Sequence, residues 1–75
     1  MDIRWKEGFE IRVDIFDDTV VINANREGLL SLAAQLTDLA GEEPGYHIHY
    51  DEYNSLEEGS VEMVIQKSTA PPSGE

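Results

Sequence analysis

The stretch "NREGLLSLAAQLTDLAG", residues 25–41, decides the fold because the chain changes there from strand-like to helical periodicity. Its apolar residues recur at intervals of three and four, which places side chains on one face of a helix. Asn25 is a favourable N-cap, and Gly28 in the first turn could permit close approach of a neighbouring backbone. The residues predicted on the buried face are Leu29, Leu32, Ala33, Leu36, Leu39 and Ala40.

Strand-like segments flank this helix on both sides. Residues 9–16, "FEIRVDIF", alternate apolar and polar side chains, and Asp17-Asp18 is a two-residue turn before "TVVIN". After the helix, "YHIHYD" and "SVEMVIQK" alternate in the same way. The order β-β-α-β-β predicts an α+β fold, with a single antiparallel four-stranded sheet and one helix packed on one face. Residues 1–67 are predicted to form one domain, and residues 68–75 a disordered tail.

A single helix would cover only one face of such a sheet. The other face is then left to solvent or to a partner. The alternation of each strand predicts which residues occupy this open face: Glu10, Arg12, Asp14, Val21, His47, His49, Asp51, Glu62, Val64 and Gln66.

Charge and composition exclude several classes of function. Sixteen acids against five bases give the 75-residue chain a net charge of −11, which opposes nucleic-acid binding and favours basic partners. The longest uninterrupted apolar run is three residues, so no membrane span or membrane partner is predicted. There is no cysteine to form a disulfide or a thiolate metal site. The missing cysteines and the absence of a signal-peptide pattern favour a cytoplasmic location.

The stretch "YHIHYDEYNSLEEGS", residues 46–60, holds the candidate functional residues. His47, His49 and Asp51 would project from one side of a strand, a spacing that suits a shared zinc ion. A bare H-x-H is a common coincidence, however, so two solvent-facing histidines are the preferred interpretation and no metal or other cofactor is predicted. No enzyme activity is predicted either, because so thin a domain offers no desolvated pocket for a catalytic acid.

A surface that binds another protein is the interpretation favoured for this stretch. Tyrosine can anchor in a partner's pocket while neighbouring carboxylates meet its Arg or Lys side chains. Leu56 is expected to fold back onto the core instead. The predicted contact residues are His47, His49, Asp51, Glu52, Tyr53, Glu57 and Glu58.

The segments "ANREGLLSLAAQLTDLA" and "GYHIHYDEYNSLEEGSVEMVIQK" resemble the immunity protein 32 family of bacterial polymorphic toxin systems. The similarity lies in the N-R-E-G-L-x-x-L-A helix start, the H-I-H-x-D strand and the L-E-x-G-S turn, and it covers about residues 19–67. The resemblance implies a cytoplasmic protein that binds and neutralises a cognate toxin. Many such toxins are nucleases with basic substrate clefts, and a compact polyanion is a physically reasonable inhibitor of these.

Two alternatives belong to other classes of function. One is a small metal-binding regulatory or structural protein that uses His47, His49 and Asp51. The other is a homodimer or larger homo-oligomer that buries the open sheet face through Val21 and Val64. The strand order, the oligomeric state and the activity of the toxin stay open at this stage.

Overall fold

The computed structural model describes residues 1–69 and confirms an α+β fold with one helix. The predicted tail of residues 68–75 lies mostly outside this range. Within residues 1–69, no helix is both long enough and apolar enough to cross a membrane. The elements follow the predicted order: β1 (Ile11–Phe16), β2 (Thr19–Ala24), α1 (Arg26–Ala40), β3 (His47–Tyr50) and β4 (Met63–Gln66).

The prediction of a single four-stranded sheet is wrong. The strands form two antiparallel two-stranded sheets, β1 with β2 and β3 with β4. Residues 57–61, just before β4, follow the free edge of β1, and the amides of Glu57 and Val61 each donate to β1 carbonyls at 2.8 Å.

The geometry of this contact explains why the sheets stay separate. The accepting carbonyls belong to Ile11 and Val13, two positions apart, whereas the donors Glu57 and Val61 are four positions apart. The extra residues form a turn in which Gly59 has φ +87. A regular ladder needs equal spacing on both strands, so isolated hydrogen bonds join the two sheets here.

The start of the helix is built as the sequence predicts. Asn25 caps it, because its Oδ1 accepts from the Gly28 amide at 2.8 Å, and the same oxygen accepts from the Glu10 amide at 2.9 Å. A Cβ at Gly28 would lie 2.6 Å from the Glu10 carbonyl oxygen and 2.9 Å from Ile11 Cγ1. The predicted close approach at Gly28 is therefore confirmed, and it seats the helix against the beginning of β1.

The predicted buried face of the helix is wrong in part. Leu32 and Leu39 are buried, but the other four residues of that face are exposed: Leu29, Ala33, Leu36 and Ala40. The face that is buried instead is more polar and consists of Gly28, Ser31, Leu32, Gln35 and Leu39.

Contacts with the segment before β1 explain why the helix buries this more polar face. The Lys6 amide donates to Ser31 Oγ at 2.8 Å, and Gln35 Nε2 donates to the Arg4 carbonyl at 2.9 Å. The Tyr50 hydroxyl donates to Gln35 Oε1 at 2.8 Å. Burial of polar side chains is tolerated when they are hydrogen-bonded, and these bonds let the helix turn Ser31 and Gln35 inward.

The hydrophobic core lies between the helix and the two hairpins. Trp5 stacks on Phe9 with ring centroids 4.4 Å apart and meets the edge of Tyr50 at 6.1 Å, closing one end of the core. Leu56 is buried, which confirms that it folds back from the loop. The core residues are Ile11, Val13, Leu32, Leu39, Ile48, Tyr50 and Leu56.

The predicted open face belonged to a single sheet, and the strands form two sheets instead, so only the exposure of its residues is confirmed. Along β3, Ile48 and Tyr50 are buried whereas His47 and His49 are exposed. Every residue predicted on that face is partly or fully exposed. The histidine-bearing row therefore faces outward.

Candidate functional site

The connection between β3 and β4, residues 51–62, is here called the β3–β4 loop. Its first turn is organised by Asp51. The Asp51 carboxylate Oδ1 accepts from the amides of Tyr53 at 2.9 Å and Asn54 at 3.0 Å, and its carbonyl accepts from the Leu56 amide at 2.9 Å. Asn54 ties this turn to β3 by donating from Nδ2 to the His49 carbonyl at 2.9 Å. An Asx-type turn of this kind fixes the backbone around Tyr53.

The second half of the loop is fastened to β1. Glu52 Oε2 accepts from the Gly59 amide at 2.7 Å, which links the two halves of the loop. Arg12 Nη1 donates to the Glu58 carbonyl at 3.0 Å, while Arg12 Nε donates to Asp14 Oδ2 at 2.9 Å. These bonds, together with the buried side chain of Leu56, hold the loop at both ends and in the middle.

Tyr53 is the most prominent side chain of this loop. It is 92 % exposed, although its own amide is hydrogen-bonded to Asp51. Glu52 and Glu58 line a shallow depression beside it. The Glu57 and Glu58 side chains are exposed on the same loop. The result is an aromatic ring surrounded by carboxylates on a fixed backbone.

The adjoining open face contains a small group of potential metal ligands. His49 Nε2 lies 3.4 Å from Glu62 Oε2, and ligand atoms of His49, Asp51 and Glu62 all lie within 4.8 Å of one another. Of the three metal candidates from the sequence, the structure thus brings together His49 and Asp51. His47 is outside this group, and its Nδ1 lies 3.3 Å from the Gly45 carbonyl oxygen.

The comparison with protein families identifies the family of this chain. The family model of immunity protein 32 matches residues 19–68, about two thirds of the chain. This chain belongs to the immunity protein 32 family. The matched range contains the helix, β3, the whole β3–β4 loop and β4. Comparisons with curated proteins and with solved structures return no match.

Family membership defines the class of function. An immunity protein family implies an inhibitor whose partner is a toxin. This confirms the resemblance seen in the sequence at the level of the family.

The seven predicted contact residues divide into two groups. Asp51 and Glu52 each give a carboxylate oxygen to hold the loop, so their first role is positional. The other five present exposed side chains: His47, His49, Tyr53, Glu57 and Glu58.

Three residues with roles at this site are not among the contact residues predicted from the sequence. Asn54 binds the His49 carbonyl through its side chain, and no sequence pattern around it indicates that contact. Arg12 had been placed on the open face, but nothing in its own strand indicated that it would bind the Glu58 carbonyl. Glu62 approaches His49 because β3 and β4 pair with Tyr50 opposite Met63. This register cannot be predicted from the sequence when so long a loop joins the two strands.

Proposed function

We propose that this immunity protein binds a cognate bacterial toxin and neutralises it by occluding its active surface, with the β3–β4 loop as the principal contact. The observation that carries the proposal is the nearly complete exposure of Tyr53 on a backbone fixed by Asp51, Glu52 and Arg12. A large side chain exposed on an ordered loop has no evident role in the stability of the fold.

Pre-organisation supports this role for Tyr53. Tyrosine is enriched at the energetic centres of protein interfaces, where it fills a partner pocket and keeps its hydroxyl hydrogen-bonded. Binding normally loses free energy when an interface loop becomes ordered. In this loop most of that ordering is already achieved, because hydrogen bonds fix the backbone on both sides of the ring.

Charge supports a basic partner. The exposed carboxylates of Glu57 and Glu58 extend the negative field of a chain whose net charge is −11. Such a field accelerates encounter with a positively charged surface. A nuclease toxin fits this requirement, since its substrate cleft is built to hold phosphates and carboxylates could occupy the same positions. On this proposal the protein acts in the cytoplasm of the cell that it protects.

The direct test is binding to the cognate toxin domain. Replacement Tyr53→Ala should weaken the complex by about thirtyfold or more, as expected when a hot-spot aromatic is truncated. Leu29→Ala is the matched control, because Leu29 is a 55 % exposed side chain of the helix and not of the loop. Equal affinity of Tyr53→Ala and the unmodified protein, measured by calorimetry with both correctly folded, would remove Tyr53 from the interface.

The charge component needs its own pair of variants. The double change Glu57→Gln and Glu58→Gln should slow association with the toxin, and the difference should shrink in high salt. The control is Glu7→Gln with Glu43→Gln, which removes the same number of exposed acids elsewhere. If the two double variants associate at the same rate, the effect belongs to net charge and not to the β3–β4 loop.

A second candidate function is metal binding by His49, Asp51 and Glu62. The specific observation in its favour is the convergence of one imidazole and two carboxylates within 4.8 Å. Zinc accepts such nitrogen and oxygen ligands. Calorimetric titration of zinc should then give a heat signal that His49→Ala abolishes and His47→Ala retains. Loss of the signal in both variants, or no signal in the unmodified protein, would reject this three-residue site.

A further inference from the structure

Strand β2 has a free edge. It pairs with β1 on one side, and within residues 1–69 no other strand pairs with it. The opposite edge of β1, by contrast, is hydrogen-bonded by residues 57–61. An unpaired edge presents backbone donors and acceptors to any extended chain that can approach it.

The hydrogen bonds of β1 identify which β2 residues face outward. The carbonyls of Ile11 and Val13 point away from β2, and these residues lie opposite Ala24 and Ile22. Opposed residues in an antiparallel pair either exchange hydrogen bonds or both direct their peptide groups away from each other. The peptide groups of Ala24, Ile22 and, by alternation, Val20 therefore point to the free edge.

This edge lacks the features that usually prevent association. Protected edges contain charged residues, proline or a bulge, or they are very short. The six residues Thr19–Ala24 contain no charge, proline or glycine, and they pair with β1 in an unbroken register. Val20 is 59 % exposed and Ile22 is 43 % exposed. In a chain of which 28 % is charged, an uncharged apolar edge of this length is a distinct surface.

We propose that β2 is a self-association strand, which pairs in antiparallel fashion with β2 of a second copy of this chain. Outward-facing residues can pair only with outward-facing residues. A two-fold axis at Ile22 satisfies this rule and gives the longest paired edge, with Ile22 opposite itself and Val20 opposite Ala24. This arrangement joins the two β1–β2 hairpins into one four-stranded sheet.

The charges at the ends of β2 favour this arrangement over a parallel one. Asp17 and Asp18 precede the strand, and Arg26, whose guanidinium lies 3.5 Å from Glu27, follows it. Continued beyond the strand, the antiparallel register opposes Asp18 of each copy with Arg26 of the other and Asp17 with Glu27, so charges of both signs meet. Parallel pairing would place aspartates beside aspartates, and like charges across neighbouring strands are destabilising.

The chemistry of the edge points to a second copy and not to a basic toxin. A basic partner is attracted by carboxylates, and Thr19–Ala24 offers none. Two copies that each have a charge of −11 repel one another, so added salt should strengthen the dimer. The toxin complex should show the opposite salt dependence, which keeps the two proposals separable.

Sedimentation equilibrium of the unmodified chain, from micromolar to near-millimolar concentration, is the first test. A reversible dimer that tightens with salt is expected, and a monomer throughout this range would overturn the proposal. Amide hydrogen exchange by NMR adds residue resolution: protection should increase with concentration at Val20, Ile22 and Ala24. A uniform increase that includes Val21 and Asn23 would contradict pairing at this edge.

Variants test the surface itself. Ile22→Lys should weaken the dimer by roughly tenfold or more, because two ammonium groups would meet at the axis. Val64→Lys is the control, since Val64 is exposed on the other hairpin. A dimer that resists Ile22→Lys but dissociates with Val64→Lys would move the interface to the open face and refute the β2 proposal. If Ile22→Lys fails to fold, Val20→Lys makes the same test at a more exposed position.

Discussion

The two hairpins of this protein have very different connections. Two residues, Asp17 and Asp18, join β1 to β2, whereas residues 51–62 join β3 to β4. Both aspartates have positive φ, +48 and +65, which is the conformation of a type I′ turn. The first hairpin has six paired positions and the second has four.

These connections determine what each hairpin exposes. A tight turn lets the ladder continue beyond the area that the helix covers, so Ile15, Phe16 and Val20 remain exposed at its far end. The long loop instead folds back on β1, buries Leu56 and leaves Tyr53 with its carboxylates outside. The first hairpin therefore exposes a strand edge with apolar side chains. The second exposes a loop with polar side chains.

The largest effect is expected where the first hairpin meets the helix. Gly28→Ala should lower the free energy of unfolding by about 3 kcal/mol, because the new methyl group would collide with the Glu10 carbonyl and Ile11. Gly41→Ala is the matched control: its Cβ would lie 3.5 Å from the Asp38 carbonyl oxygen, an ordinary contact. Urea denaturation should separate the two variants. Equal stability of both variants would show that the hairpin can shift on the helix without loss of unfolding free energy.

The second largest effect concerns the polar contact behind the second hairpin. Tyr50→Phe removes the donor to Gln35 Oε1 and leaves a buried acceptor unsatisfied. The expected loss is about 2 kcal/mol of unfolding free energy. Tyr53→Phe, which changes an exposed ring, should have no such effect. If Tyr50→Phe is as stable as the unmodified protein, the Tyr50–Gln35 bond does not determine the orientation of the helix.

The same residue predicts a dependence on pH. Burial raises the pKa of the Tyr50 hydroxyl above its ordinary value of 10.0. The unfolded chain therefore loses this proton at a lower pH than the folded chain. The stabilisation that results from this difference in the Tyr50 pKa is complete below pH 10.0 and is lost as the pH rises through the folded-state pKa. Thermal unfolding at alkaline pH should show a steeper decline for the unmodified protein than for Tyr50→Phe.

Parts of this organisation are readable from sequence because they depend on local patterns. The cap at Asn25, the role of Gly28, the tight Asp17-Asp18 turn and the outward row of His47 and His49 all follow from spacing or turn chemistry. The predicted buried face of the helix is wrong in part, because Ser31 and Gln35 are turned inward by bonds to Lys6 and Arg4, which are distant in sequence. The hydrophobic periodicity of the helix sequence does not show which distant residues will bind its polar side chains.

The same limit applies to the candidate site. Tyr53 and its carboxylates were recognised as an exposed acidic and aromatic stretch. That Asp51 and Glu52 hold the loop, and that Arg12 supports it, depends on how residues 57–61 lie along β1. The unequal spacing of hydrogen-bond donors and acceptors along that edge also explains why the strands form two sheets and not the predicted single sheet. These contacts depend on how distant segments align in the folded protein, and the sequence pattern does not show that alignment.

A smaller effect tests whether Asp51 positions the loop or contacts the partner. Asp51→Ala removes the acceptor for two loop amides and should cost about 1 kcal/mol of stability, as for loss of a capping side chain. Asp51→Asn keeps an acceptor oxygen and loses only the charge. If the role is positional, toxin affinity should fall for Ala and largely persist for Asn. Equal losses of affinity for both would indicate a direct ionic contact.

The smallest effect is expected at the turn of the first hairpin, and it should increase stability. Asp18 has φ +65, a conformation that glycine adopts without the steric cost of a Cβ, and Asp-Gly is a preferred type I′ sequence. Asp18→Gly should therefore raise the free energy of unfolding by about 0.5 kcal/mol. Asp18→Ser removes the same charge but keeps the Cβ, so it should give no gain. If serine stabilises as much as glycine, repulsion between Asp17 and Asp18 is the cause, and backbone conformation is not what limits the first hairpin.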